Sequence, residues 1–547
     1  MPKPDRFRFR DYDNIGAMDA EEDLEFLQSC YVDDGQLAIL RDTHNPRRIV
    51  LGRTGAGKTA LLLKLAASED RVIVIEPESL SMGFVANSTI LSFLAKLDVK
   101  LDIFFRMLWR HVFSVELIQK RYNLHNKVKL TLKLFNTFRD SKHKDAIDYL
   151  EDWGKKFWQE TDHRVKEITQ KLEREVSASV RAEIPSFSFQ PSALGKVTDE
   201  ERRVVTQRAQ HVVNSVQMRQ LSKIIDLIDD ILDDPQECYF ICIDGLDKDW
   251  VDERIRYKMI RALIETIKDF RKVRHAKIVV SLRLDLLKRV YRHTRDSGFQ
   301  EEKYESLYLP VTWSRQRLIE MLDRRIDYLI REKYRKTVVS HKEILPGEIG
   351  GVSGIDYFLS RTMMRPRDVI QFFNKCIESS AGRAVVNHSA LLAAEGIYSR
   401  LRLRSLGDEW SADYLNLVTF VLGVLSRKPA KGHVSDVPLA EIEELALDDA
   451  IRWPDRNDVL SFMARKVTDL NVSSAAFRSF LFSVFHQVGI VGLKLRSTEG
   501  YLWFSEDGRV VSEAEVTDSA GYEIHPMLYR VLGTPVTVRK SQLKLHG

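Results

Sequence analysis

Gly52, four intervening residues, then Gly57-Lys58-Thr59 make up the segment "GRTGAGKT", whose residue types and spacing suit the holding of a nucleotide phosphate. Backbone N–H groups from about Gly55 to Thr59 can point into one concavity around a β-phosphate. Glycine is needed there because the chain turns sharply and a Cβ would collide with the anion. Lys58 is placed to reach the β- and γ-phosphates, and the Thr59 hydroxyl to ligate magnesium. The candidate nucleotide-binding set is therefore Gly52, Gly55, Ala56, Gly57, Lys58, Thr59 and Ala60. The apolar run "RRIVL" precedes the loop and "ALLLKLAAS" follows it. The loop thus joins a buried strand to a helix whose positive end faces the anion.

Such a loop needs an acid at the tip of a second apolar strand. "YFICIDGLD" supplies it: Tyr239 to Ile243 are apolar and Asp244 closes the run as the candidate magnesium residue. Asp247 is the preferred base or water-positioning residue. Glu76, at the end of the apolar run "DRVIVIEPE", is its rival. A third run, "KIVVSLR", ends at Ser281 and Arg283, where a cation would sit beside the γ-phosphate; a surface arginine at a strand end is the plainer reading. "RTMMRPRDVIQFFN" places Arg365 and Arg367 at the start of an amphipathic helix. They read either as lid arginines on the nucleotide, in cis or across an oligomer, or as a solvated first turn capped by Asp368.

These residues must be carried by more than one core. The chain has 547 residues, enough for two to four domains, with 44% apolar and 30% charged residues. Lys plus Arg number 84 and Asp plus Glu 79, so 84 − 79 = +5, too slight a balance to argue for nucleic acid. Cys30, Cys238, Cys242 and Cys376 form no CxxC pair and read as buried thiols in a reducing compartment. The first residues lack the apolar core of a signal peptide, and no run reaches the roughly 18 apolar residues of a membrane span. A cytoplasmic protein without a membrane segment is expected.

Four segments follow from the patterning. Residues 1–46 are a helical lead-in, with Asp19 placed to cap the helix in "DAEEDLEFLQSC". Residues 47–310 form an α/β core in which strands alternate with helices, implying a parallel sheet with helices on both faces. A long, charged, helical insertion occupies about 90–232, broken by the loop Pro185 to Gly195, and reads as a helical bundle because no heptad is sustained. Residues 311–385 form a helical lid. Residues 386–547 are a C-terminal helical and winged-helix-like domain, ending in a helix and strand-like runs around Asp507-Gly508. The expected fold class is an α/β P-loop NTPase with a large helical insertion, a helical lid and a C-terminal winged-helix-like module.

Together, "GRTGAGKTALL", "FICIDGLDKDW", "VVSLR" and "RPRDVIQFFN" resemble the STAND signal-transduction ATPases and their AAA+ relatives. The nearest likeness is to bacterial P-loop ATPases with a GRxGxGKTAL loop and an IDGLD strand end. The resemblance covers about 45–100 and 235–385, and the tail only weakly. It implies that Lys58 and Thr59 match the Walker A pair, Asp244 the Walker B magnesium residue, Asp247 the second acid and Arg283 the arginine after the fourth strand. Where that motif commonly ends in Glu this chain has Lys248, which implies slow hydrolysis or reliance on Asp247 alone.

The resemblance implies ATP and Mg2+ as cofactors and a nucleotide-dependent oligomerising switch or scaffold, with homo-oligomers as the expected assembly. Many such proteins belong to bacterial anti-phage defence. No nuclease, protease or deaminase constellation is visible, which points to a separate effector protein. The alternative is a DNA-acting AAA+-like motor or loader. Against it, the would-be recognition helix Ser473 to Gln487 offers only Arg478 and His486, and the following "SEDGRVVSEAE" is acidic. The basic ends "RFRFR" and "VRKSQLKLHG" keep DNA as an open partner. A small-molecule kinase lacks its compact substrate lid here, and GTP lacks its base-specifying N/TKxD motif.

Overall fold

A computed structural model describes residues 7–78, 88–97, 99–122, 142, 144–146, 161–185, 198–215, 221–295, 300–334, 338–456, 458–504 and 509–535. The chain divides into two compact units. One is Asp33–Arg53 with Gly57–Thr312; the other is Met1–Val32, Thr54–Ala56 and Trp313–Gly547.

The first unit is built on a parallel sheet of five strands: β1 (Ile49–Gly52), β2 (Val72–Ile75), β3 (Tyr239–Ile243), β4 (Ala276–Arg283) and β5 (Tyr308–Pro310). Their order is β2-β3-β4-β1-β5, with every adjacent pair parallel. All five residues of β3 are buried, as are seven of the eight in β4. Continuous apolar runs rather than alternating ones are what a sheet covered on both faces requires. The crossovers are helices: α1 (Lys58–Ser68) follows β1, α7 (Glu253–Asp269) joins β3 to β4, and α8 (Leu284–Thr294) follows β4. An α/β nucleotide-binding fold accommodates this arrangement.

Between β2 and β3, the described residues form only helices: α2 (Thr89–Lys96), α3 (Asp102–Arg121), α4 (Thr161–Arg181), α5 (Asp199–Ser215) and α6 (Leu221–Ile231). They share one apolar core with the sheet. Trp109 of α3 is fully buried and donates its indole N–H to the Met259 carbonyl of α7 at 2.9 Å. Nearby Arg106 donates to Asp269 at 3.0 Å. Through α3, the inserted helices therefore pack onto α7 and share the core of the sheet. Of the loop expected over Pro185 to Gly195, residues 186–195 lie outside the described set.

The second unit has its own core. Helices α9 (Arg315–Lys333), α10 (Pro366–Glu378) and α11 (His388–Glu409) pack together, with Phe372 stacked on both Phe358 and Tyr398. The same core continues into α12 (Leu417–Leu425), so the expected border at 385/386 separates no core from another. The lead-in also divides, because residues 1–32 belong to this unit and 33–46 to the first. Phe9 N donates to Arg383 O at 2.9 Å, Ile15 N to Asn374 Oδ1 at 2.9 Å, and Asp23 pairs with the buried Arg325. Asp19 does not cap the helix Leu24–Cys30, whose N-cap position is Asp23. The residues between are spent in turns closed by Glu22 N→Asp19 O and Asp23 N→Ala20 O, which move the helix start on.

Beyond α12, strand β6 (Lys431–His433) precedes helices α13 (Leu439–Arg452), α14 (Val459–Thr468) and α15 (Ser474–Val488). Strands β7 (Val491–Lys494) and β8 (Gly521–Ile524) follow, in an antiparallel sheet of order β6-β8-β7. The partner of β7 is thus "GYEI", whereas "YLWF" contributes only an isolated bridge, Leu502 to Leu493. A capping box between Ser512 and Glu515 turns the "VSEAEV" segment into a short 3-10 helix and stops it from extending as a strand. Asp507 and Gly508 lie outside the described residues, as do the last twelve positions. Among the described residues no helix is long and apolar enough to cross a membrane.

Candidate functional site

Strand order decides which chain ends meet. β4 lies between β1 and β3, and Gly52 pairs in register with Arg283 while Ile243 pairs with Val280. The C-terminal ends of β1, β4 and β3 therefore bring Gly52, Arg283 and Asp244 to one edge of the sheet. Open parallel sheets bind ligands at this edge, beyond the carboxyl ends of their strands.

At that edge α1 begins with Lys58, and the preceding Gly57 has φ of +93°. Lys58 is 9% exposed, and its ammonium donates to the Arg53 carbonyl at 3.1 Å. Burial lowers its pKa, an effect that Asp244 and Asp247 oppose. The Thr59 hydroxyl donates to Asp244 Oδ2 at 2.6 Å, while Gly245 N donates to Asp244 Oδ1 at 2.9 Å. Gly245 has φ of +76°, the left-handed turn that folds the chain back over its own aspartate. Ala60 continues the first turn of α1.

Asp247, with 38% of its side chain exposed, faces Arg283 Nη1 at 3.4 Å. Arg283 is in turn gripped by Asp285: Nε donates to Oδ1 at 3.1 Å and Nη2 to Oδ2 at 2.9 Å. Arg289 donates to the same Oδ2 at 2.9 Å. Glu76 follows the edge strand β2, whose Ile75 is in register with Ile243, so it sits at the same sheet edge as Asp244 and is exposed. Lys248 reaches Glu78 at 3.8 Å.

Residues Thr54–Ala56 belong to the second unit. Their three carbonyls are all taken: Arg365 Nη1 donates to Thr54 O at 2.7 Å, Arg367 N to Gly55 O at 3.4 Å, and Trp313 Nε1 to Ala56 O at 2.8 Å. Gly55 has φ of +75°, and a Cβ there would come within 2.8 Å of Arg367 Cβ. Arg365 is 4% exposed, bound to Asp368 at 3.1 Å and Glu409 at 3.6 Å. Burial works against its charge, yet the two carboxylates outweigh it and the guanidinium pKa is raised. Asp368 also accepts from Met363 N at 3.0 Å and lies 3.5 Å from Arg402. Although burial alone would raise it, Arg365 and Arg402 bring its pKa down to about 2. Arg367 turns its side chain to Met18 O at 3.2 Å and Asp19 at 2.6 Å. A solvated first turn therefore does not describe Arg365.

This donor set fits a phosphate and its cation chemically. Positive φ at Gly57, immediately before α1, gives an αL position of the kind an anion-binding backbone nest uses. A buried ammonium whose recorded hydrogen bond goes to a carbonyl is suited to exchange it for an anion. A hydroxyl against a carboxylate offers the oxygen ligands a hard divalent ion takes. Sequence reading missed Asp285, Trp313, Glu409 and Arg402. Only Asp285 had a local signal, an acid two residues after the strand-end arginine.

Residues 316–407 match the FunZ-associated C-terminal helical domain, which corresponds to α9 through most of α11. No curated protein matches the chain.

Proposed function

We propose that this chain is a magnesium-dependent ATPase that works as a nucleotide-dependent oligomerising switch or scaffold. The observation that carries the reading is the Thr59–Asp244 hydrogen bond of 2.6 Å beside the buried Lys58. It joins the helix after the glycine loop to the tip of a second buried strand. Thr59 and Asp244 would hold Mg2+, directly and through water. Lys58 and the N–H groups of Gly55 to Ala60 would hold the phosphates. Bound ATP supplies the phosphoanhydride that is cleaved, and Asp247 orients the attacking water while Arg283 offsets charge on the γ-phosphate. With Lys248 at the motif's final acidic position, turnover is slow. The grip of Trp313, Arg365 and Arg367 on the Thr54–Ala56 carbonyls supports a switch, since any shift of those carbonyls must move or break three hydrogen bonds.

The match to a FunZ-associated C-terminal helical domain, with the STAND-like motifs, supports a conflict or defence context in which a separate effector does the damage. The element order α12-β6-α13-α14-α15-β7-β8 supports a winged-helix reading of the tail. A DNA-acting motor is the weaker reading. Arg478 is buried against Val437 O and Asp518, and His486 is buried beside Arg509 O, so neither side chain is presented to a groove.

Light scattering with and without a slowly hydrolysed ATP analogue, with duplex DNA in parallel, tests the reading. Nucleotide-dependent growth in mass supports it. A mass unmoved by nucleotide overturns the switch, and growth only with DNA favours the motor.

A further inference from the structure

Arg283 and Asp247 approach each other at the candidate site, and Asp285, the second residue of α8, constrains the guanidinium plane. Its two oxygens take the Nε–Nη2 edge of Arg283 at 3.1 and 2.9 Å, a side-on fork that leaves Nη1 pointing toward Asp247 at 3.4 Å. Both partners of the fork are largely enclosed, with 17% of Arg283 and 14% of Asp285 side chain exposed. A bidentate, charge-assisted pair of this kind sets orientation as well as distance. Arg289, one turn further along α8, donates to Asp285 Oδ2 and fixes the carboxylate from the other side.

We infer that Asp285 is a positioning residue: it holds the Nε–Nη2 edge of Arg283 and so directs Nη1 toward Asp247, where the reaction would use it. The inference rests on the ATPase reading above. A first-turn acid also favours its helix through the macrodipole, which predicts a stability effect and no effect specific to Arg283.

A double-mutant cycle in the full chain separates the two. Steady-state ATP turnover is measured for the parent, Asp285→Asn, Asp285→Glu, Arg283→Ala and Arg283→Ala with Asp285→Asn, with thermal unfolding of each. Asp285→Asn is expected to lower kcat about tenfold while KM for ATP stays within about twofold. Asp285→Glu recovers part of the loss, and Asp285→Asn adds nothing once Arg283 is gone. Undiminished kcat in Asp285→Asn, or an equal loss in the Arg283→Ala background, overturns the positioning role and leaves the ATPase reading intact. A parent protein that neither binds nor turns over ATP overturns both.

Discussion

Thr59 Oγ1 and Asp244 Oδ2 lie 2.6 Å apart although 185 positions separate them in the chain. One belongs to the first turn of α1 and the other to the tip of β3. Their meeting ties the helix after the glycine loop to the candidate magnesium acid.

Lys58→Ala should weaken binding of a fluorescent ATP analogue by about 10–100-fold, the range for losing a charge-assisted hydrogen bond. The fold should persist, because removing the ammonium also removes a charge that burial disfavours. Binding at the parent affinity would take the phosphate site away from this loop.

Asp247→Asn should keep nucleotide binding and cut turnover by about a hundredfold, as loss of a positioned base does. Rapid-quench or phosphate-release assays read this directly. Unchanged turnover transfers the role to Glu76, for which Glu76→Gln is the matching variant.

Arg365→Ala leaves Asp368 buried with Arg402 as its remaining cation at 3.5 Å. Removing one partner of a buried pair costs about 3–5 kcal/mol, so denaturant midpoints should fall sharply. Arg365→Ala with Asp368→Asn should recover much of the loss. The pH dependence has a definite sign. Asp368 has a folded pKa of about 2 against an ordinary 3.8, so its contribution is present above 3.8 and lost as pH falls toward 2. Acid titration of unfolding in Asp368→Asn should lack that segment.

Lys277 is fully buried in β4, donating to Ile39 O and Asp42 O, both at 2.7 Å. Burial, with Arg48 nearby, lowers its pKa to about 7 against an ordinary 10.5, Asp42 partly opposing. Between those values the unfolded chain holds the proton more tightly, so the penalty for burying the charge shrinks and stability rises as pH increases from about 7 to 10.5. Lys277→Met should flatten that rise, with its largest relative gain near pH 7, on the order of a few kcal/mol. An unchanged slope in urea denaturation across this range would show that Lys277 does not titrate there.

The local pieces were legible because local rules produce them. The apolar runs that became β1, β3 and β4 are short, β-branched and continuous, and they fall where the patterning put them. Capping was less legible: Asp19 looked like an N-cap, but two successive turns placed the helix start at Leu24. The strand run expected near Asp507 lost its place to Gly521–Ile524, because pairing depends on which edge of β7 a distant segment can reach. Phe7, Phe9, Ile15 and Val32 join a core built from residues some three hundred positions later, a partnership that no local pattern shows.

Sequence alone determined the chemistry on offer: a glycine loop with Lys58 and Thr59, an acid-tipped strand, and a strand ending in arginine. Those properties reside in side-chain type and in backbone conformations set by near neighbours. Tertiary structure decided the company they keep. The insertion of β4 between β1 and β3 sets Arg283 between the loop and Asp244, and α8 delivers Asp285 to Arg283. The packing of α10 and α11 buries Arg365 with Asp368 and Glu409 and aims it at a carbonyl. Strand order and helix packing arise from burying apolar faces against partners far along the chain, so no local spacing encodes them.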